Sequence, residues 1–222
     1  MTRATVTGGS GPHAGQRLVA TGPAPEAAAG ALILVHGRGA DAPGILGLAL
    51  HVAGPDIACL APQAAGQTWY PHRFLEPTSR NEPYLSSALS VLDDLVSGLI
   101  SAGLPAERIA ILGFSQGACL ALEFAARRNA PLGGIIALSG GLIGDSVPVR
   151  DTPPVLAGMP VLLGCAARDG HIPLQRVRES SEAFRRMGAE VTERIYEGSD
   201  HGVNQDEMTL AKAMLARMAG HA

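Results

Sequence analysis

The chain has 222 residues, 46% of them hydrophobic and only 4% aromatic, and carries a net charge of −3. That size suits one α/β domain with a core of Ala, Leu, Val and Ile, so a single domain over residues 1–222 is expected. The charge balance includes no basic stripe, which speaks against a nucleic-acid partner, and no apolar run approaches the roughly 20 residues of a membrane span.

In chain order, residues 3–7 and 16–20 read as a hairpin across a Gly/Pro-rich turn. Residues 31–35 form a continuous apolar run, the pattern of a strand buried on both faces. Residues 45–52 read as a helix and 56–60 as a strand. A polar and aromatic loop over 63–83 follows, holding Trp69, Tyr70, His72 and Phe74. Helical periodicity over 84–102 places Leu85, Leu89, Leu92, Val96, Leu99 and Ile100 on one face. Strands are predicted over 108–114, 134–139, 160–165 and 190–196, and helices over 116–128, 173–187 and 204–218. This alternation predicts a mostly parallel sheet with helices on both faces and no separate lid domain. Ligands on such sheets bind beyond the carboxyl ends of the strands.

The informative residues do follow strands. Gly113-Phe114-Ser115-Gln116-Gly117 is a G-x-S-x-G turn between a strand and a helix, a context that holds a serine hydroxyl clear of the sheet. Ser115 as a plain helix cap is the bland alternative. A serine needs a general base, and of seven histidines only His171, His201 and His221 follow Ser115. His201 occupies the loop before the last helix, where the chain order nucleophile–acid–histidine needs it. His221, beside the C-terminus, is expected to lack a fixed position. His171 stands too close to the candidate acid to be oriented by it but can line the pocket. The acid expected after the strand over 160–165 is Asp169. Asp200 is adjacent to His201, so its side chain is expected to diverge from the imidazole. The oxyanion donors expected are the backbone N–H groups of Gln116 and of Arg38, in His36-Gly37-Arg38-Gly39.

With these motifs, and with Arg168-Asp169 and Gly198-Ser199-Asp200-His201-Gly202, the chain resembles the phospholipase/carboxylesterase family of small α/β-hydrolases, which includes the acyl-protein thioesterases. The resemblance implies an α/β-hydrolase fold, an esterase with no metal or cofactor, catalytic Ser115, Asp169 and His201, and oxyanion donors at Arg38 and Gln116. Many relatives carry an apolar residue at the Arg38 position, so its guanidinium is expected either to favour polar or acidic substrates or to reach solvent. Trp69-Tyr70-Pro71 is similar to one bacterial branch more than to the thioesterases proper.

The substrate pocket is expected to be walled by Trp69, Tyr70 and Phe74, with Leu142, Ile143 and Ile172 opposite, although the aromatics can equally anchor the long loop. Three cysteines without metal or disulfide spacing, and an N-terminus without an apolar leader core, point to a cytoplasmic protein. A homodimer is compatible with a domain of this kind, but no sequence feature shows it. The expected activity is carboxylesterase action on small to medium acyl esters. Lysophospholipid or acyl-thioester cleavage by the same residues, and a binding protein that has lost catalysis, are the alternatives. Dienelactone hydrolases typically use a cysteine where this elbow has serine.

Overall fold

The computed structural model describes residues 2–5, 10–147 and 155–221. Its strands are β1 (Thr2–Thr5), β2 (Arg17–Thr21), β3 (Gly30–Val35), β4 (Ile57–Pro62), β5 (Ile109–Phe114), β6 (Gly134–Leu138), β7 (Pro160–Ala166) and β8 (Glu190–Tyr196). They form one sheet in the order β1-β2-β4-β3-β5-β6-β7-β8. The β1–β2 and β2–β4 pairs are antiparallel, and every pair from β4 to β8 is parallel. The expected hairpin is present, except that positions 6 and 7 lie outside the described residues.

Both faces of the central strands are apolar, so alternate side chains feed two cores. Ala31, Ile33 and Val35 of β3 join Ile109 and Ile111 of β5 on one face. Leu32 and Leu34 join Ala110 and Leu112 on the other. Helices α3 (Tyr84–Ser101), α4 (Gln116–Arg128) and α5 (Leu174–Arg186) cover the first face. The second is covered by α1 (Ala42–Leu46), α2 (Ala49–Val52) and α6 (Gln205–Met218). This is the α/β-hydrolase fold, and no separate lid domain stands among the described residues.

Two expectations about helices need correction. The helix expected over 45–52 is two short ones that begin earlier, at Ala42. Asp41 caps α1 by accepting from the Gly44 N–H at 2.8 Å, and the helix stops at Gly47. On α3, Leu85, Leu92, Val96 and Leu99 are buried as expected, Leu89 is half-buried and Ile100 is exposed. Ile100 lies about 100° around the helix from Leu99, enough to turn it out of the core. Helix α6 starts with a capping box, in which Asn204 accepts from the Glu207 N–H while the Glu207 carboxylate accepts from the Asn204 N–H. That fixes the start of α6 directly after the loop that carries His201.

Candidate active site

The turn after β5 is sharp. Ser115 has φ 54° and ψ −119°, a left-handed conformation that costs a non-glycine residue about 1–3 kcal/mol. The neighbours hold it there. The Ser115 N–H donates to Leu138 O at 2.9 Å, and Ser115 O accepts from the Cys119 N–H at 3.0 Å. A Cβ on Gly113 would sit 2.2 Å from Gly117 O, and one on Gly117 would sit 2.1 Å from Val35 O. Glycine is therefore required at both positions, because strand and helix cross with no room for a side chain.

Ser115 occupies the N-cap position of α4, but its side chain does not cap the helix. Its hydroxyl is instead 2.8 Å from His201 Nε2, and His201 Nδ1 is 2.7 Å from Asp169 Oδ2. The other Asp169 oxygen accepts from the N–H groups of His171, at 2.8 Å, and Ile172, at 3.1 Å. Burial pushes the Asp169 carboxyl up, but hydrogen bonds from His201, His171 and Ile172 outweigh it and hold the group below its ordinary value. A carboxylate here keeps Nδ1 protonated and leaves the Nε2 lone pair free to take a proton from the serine. The His201 ring packs against Phe114, at 5.1 Å between centroids, and against His171, at 4.7 Å. Asp200 is exposed, as its place beside His201 suggests.

The loop after β3 runs beside the elbow. A Cβ on Gly37 would be only 3.4 Å from Phe114 and Ser115. Among the described residues, neither the Arg38 N–H nor the Gln116 N–H donates to a protein acceptor. Both residues line the same cleft as Ser115 and His201, a space of about 780 Å³.

A model of the phospholipase/carboxylesterase family matches residues 18–219. The chain belongs to this family. It is a carboxylic ester hydrolase of the α/β-hydrolase type. A solved phospholipase/carboxylesterase from Dyadobacter fermentans superposes with a TM-score of 0.87 at 34% identity, covering 94% of this chain and 99% of that one. The mouse lysophospholipase-like protein 1 is 24% identical, over 85% of this chain and 87% of its own length. Acyl-protein thioesterase 1 of Gibberella zeae is 29% identical, over 56% of this chain and 54% of its own length. No helix among the described residues is long and apolar enough to cross a membrane.

The cleft of this hydrolase differs from the expected one. Tyr70, Phe74 and Ile172 line it, and so does His171. Trp69 does not. It is fully buried, with its ring between His13, at 5.3 Å, and His36, at 5.1 Å, and its Nε1 donates to His36 O at 2.9 Å. Leu142 and Ile143 also face elsewhere, into a separate space of about 290 Å³, because Ser180 Oγ and the Glu123 carboxylate draw their N–H groups towards α5 and α4. Cys119 reaches the cleft, but burial pushes its thiol up to about 12, far from a reactive thiolate. His221, expected to lack a fixed position, has its ring hydrogen-bonded to the Asp56 carboxylate.

Arg38 is exposed, as one of its two expected roles requires, and its guanidinium is also tethered to the protein. It donates to three successive carbonyls, Tyr70 O at 2.9 Å, Pro71 O at 2.9 Å and His72 O at 2.7 Å. No local sequence signal marks this contact, since the acceptors are backbone atoms of a distant loop. His13 was equally hidden in the sequence. Its Nε2 meets Trp69 O at 2.9 Å and its Nδ1 accepts from the Ala65 N–H at 3.1 Å. His36 likewise accepts from the Ala64 N–H at Nε2, at 3.1 Å, and meets Gly37 O at Nδ1, at 2.8 Å.

Burial lowers both of these imidazoles below the ordinary value of 6.5. The unfolded chain therefore takes up protons near pH 6.5 that the folded one refuses, and stability falls as pH drops through that value. Thermal unfolding at a series of pH values should give a Tm that declines below about 6.5, and His13→Gln should make the decline shallower. A slope unchanged by the substitution would refute the contribution of His13.

Proposed function

We propose that this hydrolase cleaves small to medium acyl esters through an acyl-enzyme intermediate, with Ser115 as nucleophile, His201 as general base and Asp169 as the carboxylate that orients the imidazole. The observation that carries this reading is the unbroken relay from Ser115 Oγ to His201 at 2.8 Å and from His201 to Asp169 at 2.7 Å, on a strained elbow. His201 Nε2 takes the Ser115 proton as Oγ attacks the ester carbonyl carbon. The resulting oxyanion is received by the Arg38 and Gln116 N–H groups, beside the N-terminus of α4. Collapse of this intermediate breaks the bond to the alcohol, which leaves with the proton from His201. Water, deprotonated by the same imidazole, then releases the acid and restores Ser115. The reading treats residues 1–222 as one catalytic domain. Three free, buried cysteines support a cytoplasmic setting.

The cleft supports short acyl groups over long ones. With Trp69, Leu142 and Ile143 turned away, its apolar wall is Tyr70, Phe74 and Ile172, and His72, Arg73, Glu76 and His171 supply polar lining. The mouse and Gibberella relatives, named for lysophospholipid and acyl-protein thioester chemistry, make those substrates the second reading.

The test is intact-mass spectrometry after fluorophosphonate treatment, with peptide mapping, beside a chain-length series of p-nitrophenyl esters and a matched thioester. A single adduct on Ser115 with turnover greatest for short esters is expected. An adduct with turnover only on long-chain or thioester substrates would move the assignment to the second reading. No adduct and no turnover would overturn both.

A further inference from the structure

We infer that the Arg38 guanidinium and the Gln116 carboxamide are positioning groups, which set the spacing of the oxyanion donors by gripping one strap of chain, residues 67–72. The inference rests on the proposal that the N–H groups of these two residues receive the oxyanion.

The two donors come from different parts of the chain, one from the loop after β3 and one from the start of α4. A tetrahedral oxygen must meet both at hydrogen-bonding distance, so their relative position has to be fixed to a fraction of an ångström. The strap links them. Gln116 Oε1 accepts from the Trp69 N–H at 2.9 Å, and Gln116 Nε2 donates to Tyr70 O at 2.8 Å. Arg38 Nη2 donates to the same Tyr70 O at 2.9 Å, while Pro71 O and His72 O take the rest of the fork. The Tyr70 carbonyl is thus shared by the side chains of both residues whose backbones face the reacting oxygen.

The strap is itself immobilised. Gln67 O accepts from the Gly39 N–H at 2.8 Å, and the buried Trp69 indole donates to His36 O at 2.9 Å, both in the loop that carries Arg38. At the far end, the His72 N–H donates to Asn81 Oδ1 at 2.8 Å. Arg38 is exposed as a residue, but its charge points at protein carbonyls. A planar guanidinium can reach three successive carbonyls at once, whereas an ammonium is a point donor and a thioether offers nothing. This is a use for arginine that substrate recognition does not explain.

Arg38→Met and Arg38→Lys, with Ser115→Ala as control, decide the matter through kcat and KM on p-nitrophenyl acetate and through Ki for a short alkyl trifluoromethyl ketone. The ketone forms a serine hemiketal whose oxyanion occupies the same pocket. Arg38→Met should lower kcat on the order of 10- to 100-fold, as expected for a misplacement of about 1 Å, with KM changed less than about threefold. Ki for the ketone should rise by the factor that kcat falls, and Arg38→Lys should lie between. A merely structural role would lower Tm and leave kcat and the ketone affinity of the folded enzyme at their wild-type values, and that result overturns the inference. A kcat loss without the matching loss of ketone affinity, or equal losses in kcat and substrate binding, overturns it as well. If Arg38→Met does not fold, the same criteria are applied to Arg38→Lys. Turnover by Ser115→Ala would instead refute the underlying assignment of the nucleophile.

Discussion

Ser115→Ala is expected to lower kcat for ester hydrolysis by about a millionfold, and His201→Ala to do the same, because each would remove one half of the proposed proton-transfer device. The expectation follows from the 2.8 Å contact between Ser115 Oγ and His201 Nε2. Without the hydroxyl there is no atom to acylate. Without the imidazole the hydroxyl keeps its proton and stays a poor nucleophile. The double variant should be no slower than either single one, since the second deletion removes a group already idle. Independent contributions would instead multiply. The fold should survive, because what anchors the elbow is backbone, the Ser115 N–H on Leu138 O and the crossing of Gly113 over Gly117. Loss of the side-chain hydrogen bond costs about 1 kcal/mol. Steady-state kinetics on p-nitrophenyl acetate with Tm by circular dichroism check both statements. Turnover by Ser115→Ala within tenfold of wild type would remove Ser115 from the reaction.

Residues whose chemistry demands a fixed place in the chain were legible. Ser115, Asp169 and His201, the residues proposed for catalysis, each follow a parallel strand, β5, β7 and β8, and the structure brings their side chains into hydrogen-bonding contact. Central strands were legible for a similar reason, since burial on both faces leaves an unbroken apolar run such as residues 31–35. The pocket was not. Trp69 is turned into the core, where His13, 56 residues away, meets its carbonyl and His36 O accepts from its indole N–H. Leu142 and Ile143 are apolar residues after a strand end, but their direction is set by hydrogen bonds to Ser180 and Glu123. The sequence singled out the backbone of Arg38, but the contacts of its side chain with the carbonyls of Tyr70, Pro71 and His72 could be seen only in the structure. Long-range contacts of loop backbone leave no period and no motif.

The second large effect concerns a residue that never touches substrate. Asp169→Asn is expected to slow kcat by about ten-thousandfold with little loss of stability. The His171 and Ile172 N–H groups both point at Asp169 Oδ1, at 2.8 and 3.1 Å. An asparagine keeps those bonds only by placing its carbonyl oxygen there, and that turns its NH₂ towards His201 Nδ1. Nδ1 must then accept, so the ring proton moves to Nε2, and the nitrogen facing Ser115 no longer has a lone pair for the serine proton. The loss comes from the wrong tautomer in an intact frame, so Tm and the dichroism spectrum should stay near wild type while kcat collapses. The wild-type carboxyl, held below its ordinary value by these donors and by His201, stays ionised at neutral pH and favours the productive tautomer. Asp200→Asn is the control, since Asp200 is exposed, and it should leave kcat near wild type. Full activity in Asp169→Asn with loss in Asp200→Asn would reverse the assignment. Loss in both would mean that the loop carrying His201, and not one carboxylate, sets the imidazole.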